Sequence, residues 1–221
     1  MHTATQRAYK GMGMEGWMAR WYTNTTGKDM EQFQKLAREI AAELQPGSKI
    51  LEVAPGPGFL AIELAKLGNF EVTGLDISKT FVQIARANAA REGVTVDFQR
   101  GNAAAIPFEH GTFDRVLCRA AFKNFHEPVE ALREMRRVLK PGGKALVLDL
   151  RKDAPMSVIN EHVDQMHLSR PSTVFTKWTF RLLLLKRAYS NGQFMDFVKQ
   201  SGFTKSRIDI ADIGFAAWLE K

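Results

Sequence analysis

Between residues 49 and 150, short runs rich in branched aliphatic side chains alternate with longer amphipathic stretches. That order describes a mostly parallel sheet covered by helices on both faces. The strands are expected at "KILEV" (49–53), "EVTGLDI" (71–77), "VTVDFQRG" (94–101), "FDRVLCR" (113–119) and "KALVLDL" (144–150). Helices are expected over 59–68, over 78–93 with Ser78 as N-cap, and from Pro128 to Leu139, where "KPGG" stops the helix and turns the chain. The alternation within 94–101 suggests a partly exposed strand. A further helix over 193–201, closed by Gly202, precedes two runs, "FTKSRIDI" and "GFAAWLEK", joined around Asp212 and suited to antiparallel pairing at one end of the sheet.

A chain of 221 residues accommodates one such domain with additions, and two regions stand outside the repeating unit. Residues 1–46 form an aromatic-rich helical arm, with a helix over 30–44. Residues 151–191 form a helical insertion placed after a strand's carboxyl end, over the crevice where open sheets bind ligands, and therefore suited to be a lid. The longest greasy run, 182–185, is too short to span a bilayer and the N-terminus lacks a signal-like apolar segment, so a soluble, cytoplasmic protein is expected. Cys118, the lone cysteine, reads as a core residue. The net charge of +7 favours anionic partners without choosing among them, and the local cluster Arg133, Arg136, Arg137 and Lys140 reads as the solvated face of a helix.

The loop in "ILEVAPGPGFL" leaves a strand and enters a helix, where free backbone N–H groups face a ligand. It lacks both the Gly-Lys-Ser/Thr of a P-loop and the third glycine of a dinucleotide fingerprint. Glu52, just before it, would repel a pyrophosphate and attract an ammonium. Asp76 lies 24 residues further on at the next strand's end, where a carboxylate can accept both hydroxyls of a ribose. Asn102, after the third strand, is suited to read an adenine edge, with Ile77 and Ala103 on the ring faces. A ligand with an amino acid at one end, a ribose in the middle and an adenine at the other satisfies all three positions, which describes S-adenosyl-L-methionine.

On these residues the chain resembles the class I S-adenosylmethionine-dependent methyltransferases, in particular the small-molecule group that includes the ubiquinone/menaquinone and sterol methylating enzymes. "LEVAPGPG" looks like the family's first motif, "VTGLDIS" its ribose-binding strand, "GNAAAIPF" its adenine-reading segment, and "FDRVLCRAAFKNFHEP" and "MRRVLKPGGKALVLDL" its fourth and fifth strand regions. The resemblance covers roughly residues 45–150 and implies a Rossmann-like three-layer α/β sandwich, with a seven-stranded mostly parallel sheet and an antiparallel C-terminal strand. It implies that Glu52, Ala54 and Gly56, in the loop that ends with Gly58, surround the methionine portion of the donor. Asp76 and Ile77 would take ribose and adenine, Asn102 and Ala103 the adenine, and the backbone at Arg119 and Ala120 the amino group. Two positions depart from the family pattern. Ala54 stands where the motif has its first glycine, which an extended backbone would accommodate, and Asn102 replaces the usual aspartate, its side-chain oxygen remaining able to accept from adenine's amine.

Methyl transfer from a sulfonium needs alignment and exclusion of water more than a particular catalytic group, so the acceptor atom (O, N, S or C) stays open. Among candidate bases, His126 follows the fourth strand at the crevice mouth, and Lys123 and Arg119 are placed to steer an anionic acceptor. Tyr9, Trp17, Trp21 and Tyr22 can close over the sulfonium or the acceptor. The greasy insertion, with Met156, Met166, Leu168, Phe175, Trp178, Phe180 and 182–185, suggests a small-molecule acceptor with an apolar body. His162 and His167 are spaced poorly for one helix face, and no metal site is expected. The alternatives are an RNA or other nucleic-acid methyltransferase, disfavoured by "RAAF" (119–122) where such enzymes carry a "DPPY"-type tetrad, and a non-catalytic protein that binds the donor.

Overall fold

A computed structural model describes residues 9–10, 13–27, 30–165, 173, 176–178 and 185–221. Seven strands form one sheet: β1 (Lys49–Val53), β2 (Glu71–Asp76), β3 (Asp97–Arg100), β4 (Phe113–Arg119), β5 (Leu139–Leu150), β6 (Lys205–Ala211) and β7 (Gly214–Glu220), in the order β3-β2-β1-β4-β5-β7-β6. Strands β3 to β5 run parallel, while β7 is antiparallel to both β5 and β6. The chain turns tightly between β6 and β7 at Asp212, whose φ is +45°.

Alternate residues of the central strands face opposite layers. Leu51, Val53, Val116, Cys118, Ala145 and Val147 pack with α5 (Pro128–Val138) and a late helix, Asn191–Ser201. Ile50, Val72, Leu117 and Leu146 pack on the other side with α2 (Met30–Ala41), α3 (Phe59–Lys66) and α4 (Lys79–Arg91). Because both faces are covered, β1 and β4 read as continuous apolar runs, and both span the expected residues. At the sheet edge, β3 buries only Phe98, in keeping with its alternating sequence.

The helix ends follow local chemistry. Ser78 Oγ accepts from Phe81 N and caps α4, while Gly202 at φ +85° closes the late helix, which also carries a Ser190–Gln193 capping box. Several boundaries depart from expectation, among them the start of β3, at Asp97 rather than Val94, and the end of α2, at Ala41 rather than Leu44. Strand β5 begins at Leu139 rather than Lys144, because "KPGG" stays within the strand and is absorbed by a register shift where Phe113 pairs Leu139 but Arg115 pairs Lys144.

The order reverses between β1 and β4, β2 and β3 lying to one side and β4 and β5 to the other. This places a crevice at the carboxyl ends of β1 and β4. The arm crosses above it. Helix α1 (Gly16–Thr26) packs against α4, with Tyr22 edge-on to Phe81 at 5.8 Å. Ser78 Oγ donates to Met14 O, and Glu15 accepts from the Lys79 and Thr80 backbone N–H groups. Farther out, Tyr9 bridges to Phe125 and Lys10 N donates to Asn124 O at 2.8 Å. The described part of the insertion, including α6 (Met156–Gln165), packs through Ala154, Ile159 and Leu185 on Ile213.

Candidate active site

A cavity of about 890 Å³ opens at the crevice, near the upper end of the roughly 300–1,000 Å³ typical of single small-molecule sites. Its wall contains Glu52, Ala54, Gly56, Asp76, Ile77, Asn102, Ala103, Arg119 and Ala120, so nearly the whole expected donor set is brought together. Gly58 is not part of the wall. It sits at φ +81° before α3, where a Cβ would fall 2.6 Å from Phe98 Cζ, so glycine is required there by backbone and packing.

Glu52 is buried in the step from β1 to α3, and its Oε2 accepts from Ala61 N at 2.9 Å. Since α3 lacks a side-chain cap of its own, this carboxylate serves one of the helix's free N–H groups from the neighbouring strand. Burial pushes its pKa up to about 7, against the pull of that N–H and of Arg119. Asp76 is also buried, its Oδ2 accepting from Gly56 N at 3.0 Å and its Oδ1 from Ser78 N at 2.8 Å. It therefore holds the glycine loop against the start of α4. Burial pushes its pKa up to about 6. Each oxygen retains a second lone pair for a ligand hydroxyl.

Two sequence expectations change at the atomic level. Ala54 is not extended: its φ is +56°, the left-handed region that normally belongs to glycine, with its N–H bound to Leu75 O at 2.7 Å. Asn102 Oδ1 accepts from Ala104 N at 3.0 Å, so one of its two lone pairs serves a local turn, and the other remains, beside the side-chain NH₂, for a base.

After β4 the chain forms a 3₁₀ turn, Phe122–Asn124. Ala120, at φ +57°, donates to Leu148 O, while Phe122 and Phe125 are buried. Lys123 and Asn124 join the cavity wall, but His126, one residue past buried Phe125, is exposed and outside it. The structure therefore does not bring the expected base to the site. Lys123 is buried and paired with Asp149 at 2.9 Å, and Asp149 also accepts from Lys123 N. Arg119 stacks its guanidinium 4.2 Å from the Phe33 ring centre. Neither cation is free in the manner expected of a steering group.

The arm contributes Tyr9, Trp21 and Tyr22 to the wall, whereas Trp17 is exposed on α1. From the insertion, Arg187 reaches the cavity among the described residues, while Leu185 packs elsewhere and Met156 and Trp178 are exposed. Met166, His167, Leu168, Phe175, Phe180 and residues 182–184 lie outside the described residues. Among the basic residues of α5, Arg137 binds Glu134 and the carbonyls of Ile106 and Phe108. Sequence reasoning missed Asp149, although an acid ending a parallel strand is the signal that singled out Asp76. It also missed Asn124 and Arg187, for which no local pattern existed. No helix among the described residues is long and apolar enough to cross a membrane.

The model of a methyltransferase domain family matches residues 51–147. The demethylmenaquinone methyltransferase of Thermus thermophilus is 38% identical over 124 residues, a match spanning 56% of this chain and 56% of that protein. The demethylmenaquinone methyltransferase of Chlorobaculum parvum is 30% identical over 184 residues, 78% of this chain and 72% of that protein. Among solved structures, one from Methanococcus maripaludis assigned to the S-adenosyl-L-methionine-dependent methyltransferases aligns over 96% of this chain and 95% of its own, with TM-score 0.74 and 21% identity, a likeness of fold.

Proposed function

Because this chain belongs to the class I S-adenosylmethionine-dependent methyltransferases, related to the menaquinone-methylating enzymes, we propose that it transfers a methyl group to a small organic acceptor with an apolar, quinone-like body. The observation that carries this reading is the pairing of two buried carboxylates in one cavity. Both lie at carboxyl ends of neighbouring strands with the glycine loop between them, which supports Glu52 as the partner of the donor's ammonium and Asp76 as that of its ribose. The donor supplies a methyl on a positively charged sulfur, and transfer breaks that S–C bond as the acceptor's bond to the methyl forms. Glu52 is buried with no ion pair of its own among the described residues, Arg119 offsetting only part of the cost of its burial, and a ligand ammonium would supply a direct partner. Asp76 orders Gly56 and Ser78 before any ligand arrives, so little loop entropy is left to lose on binding. The cavity has room for a nucleoside-sized donor and an acceptor together, and the arm covers both from water.

The test is calorimetric titration of the protein with S-adenosyl-L-methionine and S-adenosylhomocysteine, beside the Asp76→Asn and Asp76→Ala variants. Micromolar binding by the wild type, with a loss of about ten-fold or more in Asp76→Ala, is expected from removal of charged hydrogen bonds to the ribose. No heat with either ligand would overturn the reading.

A further inference from the structure

Most of the donor-side groups occupy the part of the cavity above β1, β2 and β3, with Arg119 and Ala120 joining them from the end of β4. The remaining wall, above β4 and β5, is closed by the arm and by the helical turn Leu185–Arg187. Three hydrogen-bond donors belong to this wall, and the backbone links Tyr9–Phe125 and Lys10–Asn124 bring two of their segments side by side. Arg187 is an exposed cation with no carboxylate partner among the described residues. Its charge is felt at Tyr9, where it favours the phenolate, while burial and the negative charges of Asp76 and Asp149 oppose ionisation and keep the phenol protonated. Asn124 is held by its backbone to the arm through Lys10 N, and its side-chain amide has no hydrogen-bond partner among the described residues. Of the two other cations on this wall, Lys123 is paired with Asp149, and Arg119 lies over the Phe33 ring on the side of Glu52, whose pKa it lowers. A guanidinium, a phenol O–H and an amide NH₂ around one space, with apolar Phe125 and Leu150 beside them, suit a ligand that presents negatively charged oxygen on an apolar body.

We propose that Arg187, with Tyr9 and Asn124, forms an anion subsite that selects acceptors carrying an oxyanion, a carboxylate or a phenolate, next to an apolar ring. This deepens the methyltransferase reading and rests on it. Arg187 is the specificity-determining residue: its guanidinium carries a permanent positive charge on a rigid fork that matches a pair of anionic oxygens, whereas the phenol and the amide are neutral.

The experiment uses the full chain saturated with S-adenosylhomocysteine and measures binding of two matched probe pairs by calorimetry. One pair is a naphthalene carboxylate and the corresponding carboxamide, and the other is nitrophenolate and nitrobenzene. In the wild type at least one anion is expected to bind about ten-fold more tightly than its neutral partner, the scale of a charge-assisted bond, and the pair that shows it names the oxyanion. The preference should vanish in Arg187→Gln and persist in Lys186→Gln, which removes the same charge from an adjacent exposed residue. Equal binding of both members of both pairs, or a preference that survives Arg187→Gln, would overturn the subsite. Failure to bind S-adenosylhomocysteine at all would instead strike the methyltransferase reading.

Discussion

Replacing Ala54 by glycine should be nearly free, although the same change in a helix is costly. At φ +56° the Ala54 methyl crowds its own carbonyl, and an L-residue in this conformation is disfavoured by about 1–2 kcal/mol. Substitution by glycine relieves that strain. Against it stand the extra freedom of glycine in the unfolded chain, about 0.5–1 kcal/mol, and the loss of a partly buried methyl, at most about 0.8 kcal/mol. The sum lies near zero. Ala87, exposed within α4, provides the reference: Ala87→Gly has no strain to relieve and should cost about 1 kcal/mol. Urea unfolding of the two variants should therefore separate them by about 1 kcal/mol or more, with unchanged denaturant slopes, and by about 2–4 °C in Tm for a chain of this size. Ala120→Gly, at φ +57°, belongs with Ala54→Gly for the same reason. Equal losses in Ala54→Gly and Ala87→Gly would refute the argument. The strain is sustained because Ala54 N is tied to Leu75 O and the next turn delivers Gly56 N to Asp76, so relaxing one residue would cost two buried hydrogen bonds.

Burial pushes Glu52 up to about 7 and Asp76 up to about 6, so the folded, ligand-free protein holds protons that the unfolded chain releases near their ordinary values of 4.5 and 3.8. Stability without ligand should therefore fall as pH rises from about 4 towards about 7, while affinity for S-adenosylhomocysteine, whose ammonium favours ionised Glu52, rises over the upper part of that range. Urea midpoints and calorimetry at several pH values check both slopes, and flat profiles would contradict the assignment. Lys123→Met should cost about 3–5 kcal/mol in urea unfolding by leaving Asp149 charged and buried without its partner, whereas Lys123→Met combined with Asp149→Leu should cost less. Gly58→Ala should lose about 2 kcal/mol or more, since its Cβ would meet Phe98 and Ala85 in a left-handed backbone; a loss below about 0.5 kcal/mol by the same assay would count against that packing.

The two halves of the cavity differ in how they are encoded. The donor half is built where one strand, one loop and one helix follow each other directly, so Glu52, Gly56, Asp76 and Asn102 announce themselves by position along short stretches of chain, and the strands that carry them read as buried apolar runs. What remained hidden even there is conformational: nothing in the residue name foretells the positive φ of Ala54, nor that Asn102 gives one lone pair of its oxygen to Ala104. Pairing is hidden too, since the β5 extension through "KPGG" depends on how β4 accommodates it. The wall proposed for the acceptor joins Tyr9, Asn124 and Arg187, drawn from the arm, a turn and the insertion, with Asp149 behind it holding Lys123. No periodicity links residues so far apart, and nearness to a crevice in sequence does not decide which way a side chain turns. Within the four residues Lys123–His126 the chain buries Phe125, brings Lys123 and Asn124 to the cavity wall and leaves His126 outside. On the subsite proposed above, substitutions at Arg187 or Tyr9 should change which acceptor binds while every donor motif stays intact, because the motifs lie on contiguous chain and that wall is assembled only by folding.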